Sequence, residues 1–202
     1  MTQSSSKRPY ESRKRSDAAA KTRRRITKAA VHLHGSVGPA HTTISGIAER
    51  AGVTRVTVYK HFPTLEDVFR ACSAHWLAAH PWPDVGKWEA ISDPDERLAR
   101  ALRELYAFLR SNQGMVANLH RDLEALPALN QERIRARPAA MAAALMQGRR
   151  LRGKSRRLME ALLTHAVEFD TWHSLAGQGL SDDDIAELIL VAAAGIGATT
   201  RR

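Results

Sequence analysis

Residues 42–62, TTISGIAERAGVTRVTVYKHF, contain two short helical patterns that are separated by a glycine. The first pattern places apolar residues at the i, i+3, i+4 and i+7 spacing of one helix face, namely Ile44, Ile47, Ala48 and Ala51. Gly52 follows it and can adopt the open backbone of a sharp turn. After the glycine, Val53, Val58 and Phe62 can face a core while basic and hydroxyl side chains face outward. Two helices joined by such a turn, the second one short and basic, are typical of a helix-turn-helix that enters the DNA major groove.

The outward side chains of this motif predict how DNA is contacted. The expected contact residues are Thr43, Thr54, Arg55, Val56, Thr57, Tyr59, Lys60 and His61. Arg55 is the candidate for a guanine, because its guanidinium fork matches the O6 and N7 atoms of that base. Val56 and Thr57 suit a thymine methyl group. Phosphate contacts, which fix the register of the protein on the duplex, are expected from Thr43, Tyr59, Lys60 and His61.

The segment IAERAGVTRVTVYKHFPTLEDVF, residues 47–69, resembles the DNA-binding segment of the tetracycline-repressor (TetR) family of bacterial transcription regulators. Three positions depart from the family pattern: Leu65 stands where a lysine is usual, Val56 where a glycine is common, and His34 where an aromatic residue often ends the first helix. The resemblance also implies DNA-backbone contacts from a basic cluster near the start of that helix, namely Lys21, Arg23, Arg24 and Arg25.

Basic residues are concentrated in the part of the chain that contains the motif. The net charge is +10, and residues 1–80 hold 14 Lys or Arg against 5 Asp or Glu, whereas residues 81–202 hold 17 against 16. This asymmetry favours a nucleic-acid partner over a charge that serves solubility alone.

Targeting signals and disulfide chemistry are not indicated. Cys72 is the single cysteine, so no intrachain disulfide can form. The N-terminus lacks the apolar core of a signal peptide. The longest apolar run, Leu188–Ala198, is shorter than the roughly 20 residues that span a bilayer. We therefore expect a soluble cytoplasmic protein that does not enter a membrane.

Composition and helical periodicity divide the chain into four expected parts. They are a disordered basic arm over residues 1–15, a helix-turn-helix DNA-binding domain over 16–64, a connecting helix over 65–79, and a helical regulatory and dimerisation domain over 80–202. The arm is rich in Ser, Lys and Arg, so it is either an inert tail or a segment that contacts DNA. Ser16 is the expected N-cap of a first helix that ends near His34, and Thr64 is the expected N-cap of the connecting helix.

The expected fold class is all-α, because no segment requires a β-strand. An N-terminal three-helix domain with the helix-turn-helix precedes a C-terminal helical domain for ligand binding and dimerisation. In that second domain we expect helices over 94–111, 115–125, 127–148 and 155–176, with Pro138 as a kink, and a last helix that starts at a Ser181–Asp184 capping box. The resemblance implies that the last two helices pair with their copies in a second subunit as a four-helix bundle.

Large apolar and adaptable side chains in the C-terminal part provide the material for a small-molecule cavity. The candidates are Trp76, Tyr106, Met115, His120, Met141, Phe169, Trp172 and His173. Each of them alone is more typical of an ordinary core, and it is the family resemblance that implies an effector site among them.

Sequence patterns of enzymes, metal sites and cofactor sites are missing. Gly195 and Gly197 follow an apolar run, but the third glycine of a dinucleotide-binding loop is absent. His165 and Glu168 have no evident third metal ligand, which favours a pocket wall or an interface pair over a metal sensor. We therefore predict no catalytic residue, no metal and no cofactor.

These patterns and the resemblance predict a ligand-responsive, homodimeric, DNA-binding transcriptional regulator. Its partners would be double-stranded operator DNA, a second copy of the chain, and a small-molecule effector. The predicted mechanism is repression, with the effector releasing the dimer from a palindromic operator. The alternative is a constitutive DNA-binding protein without a ligand.

Overall fold

The computed structural model describes residues 7–199, with side chains described from residue 13 to residue 198. Within that range the chain forms ten α-helices and no β-strand, which confirms the all-α fold class. The helices are α1 Lys7–Ser36, α2 Ile44–Ala51, α3 Arg55–His61, α4 Leu65–Ala79, α5 Val85–Glu89, α6 Pro94–Arg121, α7 Ala128–Met146, α8 Gly153–Ala166, α9 Phe169–Gly177 and α10 Asp182–Thr199. The chain divides into two compact units, one that ends at His80 and one that begins at Pro81.

The first unit is built on α1, which packs against α2 and α4, while α2 contacts α3. Its core consists of apolar side chains from these helices, namely Ile26, Ala30, Ile47, Ala51, Val58, Phe62, Val68 and Phe69. At the start of α4, the Asp67 N–H donates to Thr64 Oγ1 at 3.1 Å and the Thr64 N–H donates to Asp67 Oδ2 at 3.2 Å. This capping box fixes the first residue of α4 at the position expected from the sequence.

Helix α1 begins at Lys7, well before the residue expected to start it. The prediction of a disordered arm over residues 1–15 is therefore wrong for 7–15, and residues 1–6 lie outside the described part. Ser16 is inside the helix and is not its N-cap. The side chains of residues 13–20 are all exposed, so burial does not hold this extension. Instead, the segment is rich in Lys, Arg and Ala, which have high helix propensity.

The second unit is organised around α6, which packs against α5, α7, α9 and α10. The expected break between residues 111 and 115 is wrong, because α6 continues without interruption to Arg121. An exposed glycine inside a helix costs only about 1 kcal/mol. The burial of Leu109 before Gly114 and of Val116 after it outweighs that cost.

The helix expected over residues 155–176 is divided into α8 and α9 by an extended Glu168, with φ −79° and ψ 139°. No glycine or proline marks this break in the sequence. The Tyr106 hydroxyl donates to the carbonyl of Ala166, the last residue of α8, at 2.9 Å. A side chain from α6 thus satisfies a backbone group that the end of α8 leaves unpaired.

A local signal is confirmed at the start of α10. The Asp184 N–H donates to Ser181 Oγ at 3.1 Å and the Ser181 N–H donates to Asp184 Oδ2 at 2.9 Å, which confirms the capping box of α10. Helix α7 runs through Pro138. Among residues 7–199, no helix combines the length and the apolar character needed to cross a membrane.

Candidate functional site

The turn between α2 and α3 depends on Gly52. This residue has φ 61° and ψ 44°, a left-handed conformation that glycine adopts without steric cost. Its N–H donates to the Glu49 carbonyl at 3.0 Å, and the Val53 N–H donates to the Ala48 carbonyl at 3.0 Å. A Cβ atom at Gly52 would lie 2.9 Å from a guanidinium nitrogen of Arg25. The glycine therefore sets both the turn and the close approach of α1.

Helix α3 is short, and its orientation is fixed by its two ends. Thr54 is the N-cap, and its Oγ1 accepts a hydrogen bond from the Thr57 N–H at 3.2 Å. Val58 and Phe62 have no exposed surface. Because these two apolar side chains face the core, the opposite side of α3 must face solvent.

The exposed face of α3 consists of Arg55, Val56, Tyr59 and Lys60. At 100° per residue these four side chains fall within less than half of the helix circumference. Val56 is 77% exposed, so the fold makes almost no use of its side chain. The result is one compact surface that combines two positive charges, a phenol and an apolar group.

The other predicted contact residues lie at the margins of this surface. Thr57 and His61 are half-buried, and the Thr57 hydroxyl lies 2.9 Å from the Thr54 hydroxyl. Thr43 is the N-cap of α2, where its Oγ1 accepts a hydrogen bond from the Gly46 N–H at 3.0 Å. The capping hydroxyls of Thr43 and Thr54 are exposed at helix N-termini, where the helix dipole favours an anion such as a phosphate.

Two arginines of α1 have a role that differs from the one implied by the resemblance. Arg23 donates to the carbonyl of His61, and its guanidinium lies 4.0 Å from the centroid of the Phe62 ring. Arg25 donates to the carbonyls of Ala51 and Gly52, the latter at 3.1 Å. Each arginine places its charge at the negative end of a helix dipole, α3 for Arg23 and α2 for Arg25.

These arginines therefore position the helix-turn-helix, whereas the resemblance implied contacts with the DNA backbone. A sequence signal for this role exists, because Arg23 precedes the buried Ile26 by three residues and Arg25 precedes the buried Ala29 by four. Both side chains consequently extend the core-facing side of α1.

The candidate pocket residues are distributed over both units. Trp76 lies on α4 in the first unit, where its ring stacks on His80 at 4.9 Å. The remaining seven lie in the second unit, and four of them are buried in its core, namely Tyr106, Met141, Phe169 and Trp172. The Trp172 indole N–H donates to Asp182 Oδ1 at 3.0 Å. Burial raises the pKa of the Tyr106 phenol, which keeps it neutral.

Four of the candidates form a continuous cluster of rings. The His120 and Phe169 ring centroids are 4.9 Å apart, those of Phe169 and His173 are 5.2 Å apart, and those of Phe169 and Trp172 are 5.9 Å apart. Burial lowers the pKa of His120, the Asp170 carboxylate opposes this shift, and the nearby Arg137 charge adds to it. Met115 is half-buried on the same helix as His120.

The His165 Nδ1 atom lies 3.1 Å from Glu168 Oε2. In the part of the chain that the structure describes, no group of three or more His, Cys, Asp and Glu side chains is placed to hold a metal ion.

Comparison with known proteins relates the segment that contains this surface to a protein family. Residues 26–72, which run from the middle of α1 into α4, match the family of bacterial regulatory proteins, tetR family. SrpR of Pseudomonas putida, an HTH-type transcriptional regulator, is 39% identical over 85 residues, which represent 39% of this chain and 40% of SrpR. TtgW, an uncharacterized HTH-type transcriptional regulator that is also from P. putida, is 39% identical over 85 residues, or 63% of its length. The match spans less than two thirds of either relative.

A solved structure extends the likeness in fold over most of the chain. NalD, the secondary repressor of the MexAB-OprM multidrug efflux pump in Pseudomonas aeruginosa, is 23% identical with a TM-score of 0.56. The alignment covers 88% of this chain and 95% of NalD. The helix-turn-helix sequence and the family match around it agree, and residues 26–72 belong to the family of bacterial regulatory proteins, tetR family.

Proposed function

We propose that this chain is a homodimeric transcriptional repressor, which binds a near-palindromic operator through α3 and leaves it when a small-molecule effector binds the second unit. The observation that carries the proposal is the exposed basic face of α3. Buried Val58 and Phe62 set its direction, and Arg23 caps its C-terminal end. A short helix that is held at both ends can enter a major groove without rearranging.

The position of each side chain on α3 supports a division of labour on DNA. Arg55 is the first residue of the helix and is exposed, and recognition helices contact base edges with their N-terminal residues. We assign it to a guanine, and we assign the adjacent Val56 to a thymine methyl group. Tyr59 and Lys60, together with the N-cap Thr43, are assigned to phosphates.

An apolar surface on two helices of the second unit supports dimerisation. Helices α8 and α10 pack against each other, and both carry large apolar side chains that face solvent. Leu158 is 47% exposed, Leu188 49% and Val191 65%. A surface of this kind suits a second copy of itself across a two-fold axis, and a two-fold dimer would present two copies of α3 to two half-sites.

An effector would act by binding unequally to two conformations of the dimer. We place its site in the second unit, near the rings of His120, Phe169 and His173. A ligand that binds the non-operator conformation more tightly shifts the population toward it and lowers operator affinity by the same ratio. NalD, which has the same fold, is a repressor, and we assign the same sign of regulation here.

The test is operator affinity with and without ligand. Operator fragments are selected from random DNA and titrated with the protein, in the presence and absence of a panel of small aromatic compounds. We expect a selected fragment to bind roughly a thousandfold or more tighter than random DNA, and one class of compound to weaken that binding. Failure to prefer any fragment would contradict the function of α3. Specific binding that no compound disturbs would favour the constitutive alternative.

A further inference from the structure

Buried arginines in the second unit are held by backbone and carboxylate acceptors. Arg97, 4% exposed, donates to the carbonyls of Ile91, Ala144 and Gln147. Arg149 donates to the Pro94 carbonyl and forms an ion pair with Asp95 at 2.8 Å. These two arginines stabilise the fold, because their donors are satisfied within the chain.

Arg137 differs from these two arginines, because its donors are not satisfied within the described part of the chain. It lies on α7, it is half-buried, and its guanidinium carbon is 3.9 Å from the centroid of the Trp82 ring. Among residues 13–198, no carboxylate forms an ion pair with it and no group accepts a hydrogen bond from it. Burial lowers the pKa of Arg137 to about 10, so it still carries its charge at neutral pH. A cation that is partly removed from water and has no acceptor in the protein is unfavourable in a folded protein.

The surroundings of Arg137 are aromatic. Trp82 packs against Phe108 with ring centroids 4.2 Å apart. The charge of Arg137 acts on His120, whose ring in turn contacts Phe169. Asp170 and Glu168 also act on His120, in the opposite sense, but neither forms an ion pair with Arg137. The cation is thus placed beside a wall of rings that includes two of the candidate pocket residues.

The contact with the Trp82 ring leaves the N–H donors of Arg137 available. A guanidinium over an aromatic ring is attracted to it through its delocalised charge, so its N–H groups can still donate to another acceptor. No unsatisfied nitrogen of a described side chain is completely inaccessible to solvent, so the Arg137 nitrogens can be reached from outside. An in-plane pair of N–H donors matches the two oxygens of a carboxylate.

We propose that the effector is a small aromatic carboxylate, whose anionic group binds the Arg137 guanidinium and whose ring lies against Trp82, Phe108 and His120. This inference rests on the proposed ligand-responsive function and adds the chemical class of the ligand. The wall of rings would provide most of the contact area, and the single cation would select an acid over a neutral molecule of the same shape.

The probes are a matched pair, 1-naphthaleneacetate and the neutral 1-naphthaleneacetamide, titrated into the full-length protein by calorimetry. We expect the wild type to bind the carboxylate at least about tenfold tighter than the amide, since a charge-assisted hydrogen bond is stronger than a neutral one. Arg137→Gln should reduce this ratio to near one. Arg135→Gln is the matched control, because Arg135 lies on the same helix but is exposed and paired with Glu124. It should preserve the ratio.

Equal binding of the two probes to the wild type would overturn the proposal, as would failure of both to bind, and neither result requires a variant to fold. A ratio that Arg137→Gln leaves unchanged would also overturn it. Arg137→Lys, which keeps the charge but lacks the planar fork, should retain a smaller preference for the acid. Operator affinity without ligand is measured on the same samples. If the wild type has no specific operator affinity, the DNA-binding function is contradicted. If it binds the operator but binds the two probes equally, only the proposed class of ligand is contradicted.

Discussion

At the scale of single residues, arginine has two different roles in the first unit, as Arg23, Arg25 and Arg55 show. Arg23 and Arg25 donate to carbonyls at the C-terminal ends of α3 and α2, so they stabilise the helix-turn-helix. Arg55 is exposed on α3. The sequence indicates the exposure of Arg55, because local periodicity decides it. The acceptor of Arg23 is 38 positions away in the chain, so only the fold reveals that contact.

Gly52→Ala should destabilise the first unit. The residue has φ +61°, and an added Cβ would approach Arg25 to 2.9 Å, so we expect a loss of about 1–2 kcal/mol or more in the free energy of unfolding. Gly46→Ala is the matched control, since Gly46 is helical and an added Cβ meets its nearest neighbour at 3.5 Å. That variant should gain about 0.5–1 kcal/mol. Urea unfolding measures both, and equal effects of the two substitutions would disprove the role of Gly52.

At the scale of helices, the two capping boxes were predictable from the sequence, whereas the start of α1 and the continuity of the longer helices were not. Helices α4 and α10 begin where their capping boxes predict, because the partners are three residues apart. The long course of α6 and the break between α8 and α9 depend on tertiary contacts. Gly114 is tolerated inside α6, and Tyr106 stabilises the end of α8 from another helix. A sequence pattern does not contain these long-range contributions.

The contact between α1 and α4 contains a buried polar pair. His34 Nδ1 lies 3.3 Å from Cys72 Sγ, and the thiol also lies 3.1 Å from the Phe69 carbonyl oxygen. Burial lowers the pKa of His34 to about 4 and raises the pKa of Cys72 to about 12. Both groups are therefore neutral in the folded protein near pH 7, and the thiol is not poised to react.

The pair makes the stability of the first unit dependent on pH. The pKa of His34 is about 6.5 when unfolded and about 4 when folded, so its contribution is complete above pH 6.5 and is lost as the pH falls toward 4. We expect a loss of about 2–3 kcal/mol between pH 7 and pH 4.5 from this residue. The His34→Phe protein should lack this pH-dependent loss in the free energy of unfolding. Urea unfolding of both proteins at the two pH values gives the difference, and identical pH dependence would refute the assignment.

At the scale of the whole molecule, the proposed binding to a near-palindromic operator requires two copies of α3, and the apolar surface on α8 and α10 is the proposed means of pairing them. Val191→Glu places a charge at its most exposed large side chain, 65% exposed. Because a buried unpaired charge is costly, the dimer dissociation constant should rise roughly a hundredfold or more. Ala143→Glu, at an exposed position of α7, is the matched control. Sedimentation equilibrium reports the constant, and a Val191→Glu protein as dimeric as wild type would exclude this interface.

Deletion of the basic N-terminal segment tests how far the DNA contact extends beyond α3. Residues 13–15 are basic and exposed, and the extension of α1 carries them. Deleting residues 1–15 should lower the slope of log affinity against log salt by about 0.9 for each phosphate that the shortened protein no longer neutralises. Operator titrations between roughly 50 mM and 200 mM salt give the slope for both proteins. An unchanged slope would show that the segment does not touch DNA.

The two candidate sites differ in how far the sequence predicts them. The α3 surface is predictable, because one short helix and its turn determine which side chains are exposed. The proposed effector site is not, because it joins Trp82, before α5, to Arg137 on α7 and His120 on α6. Arg137 was absent from the predicted pocket, since a lone arginine within an amphipathic helix is typical of an exposed face. Only its contact with Trp82 sets it apart.

The most direct test compares Arg55→Ala with wild type on the selected operator and on random DNA of equal length. Because Arg55 is assigned to a base edge, we predict a loss of about 1–3 kcal/mol on the operator, relaxed choice at one base pair, and little change on random DNA. Lys60→Ala, at a residue that we assign to a phosphate, is the control and should weaken both complexes similarly. An equal loss on operator and random DNA for Arg55→Ala would contradict the reading of DNA sequence by α3.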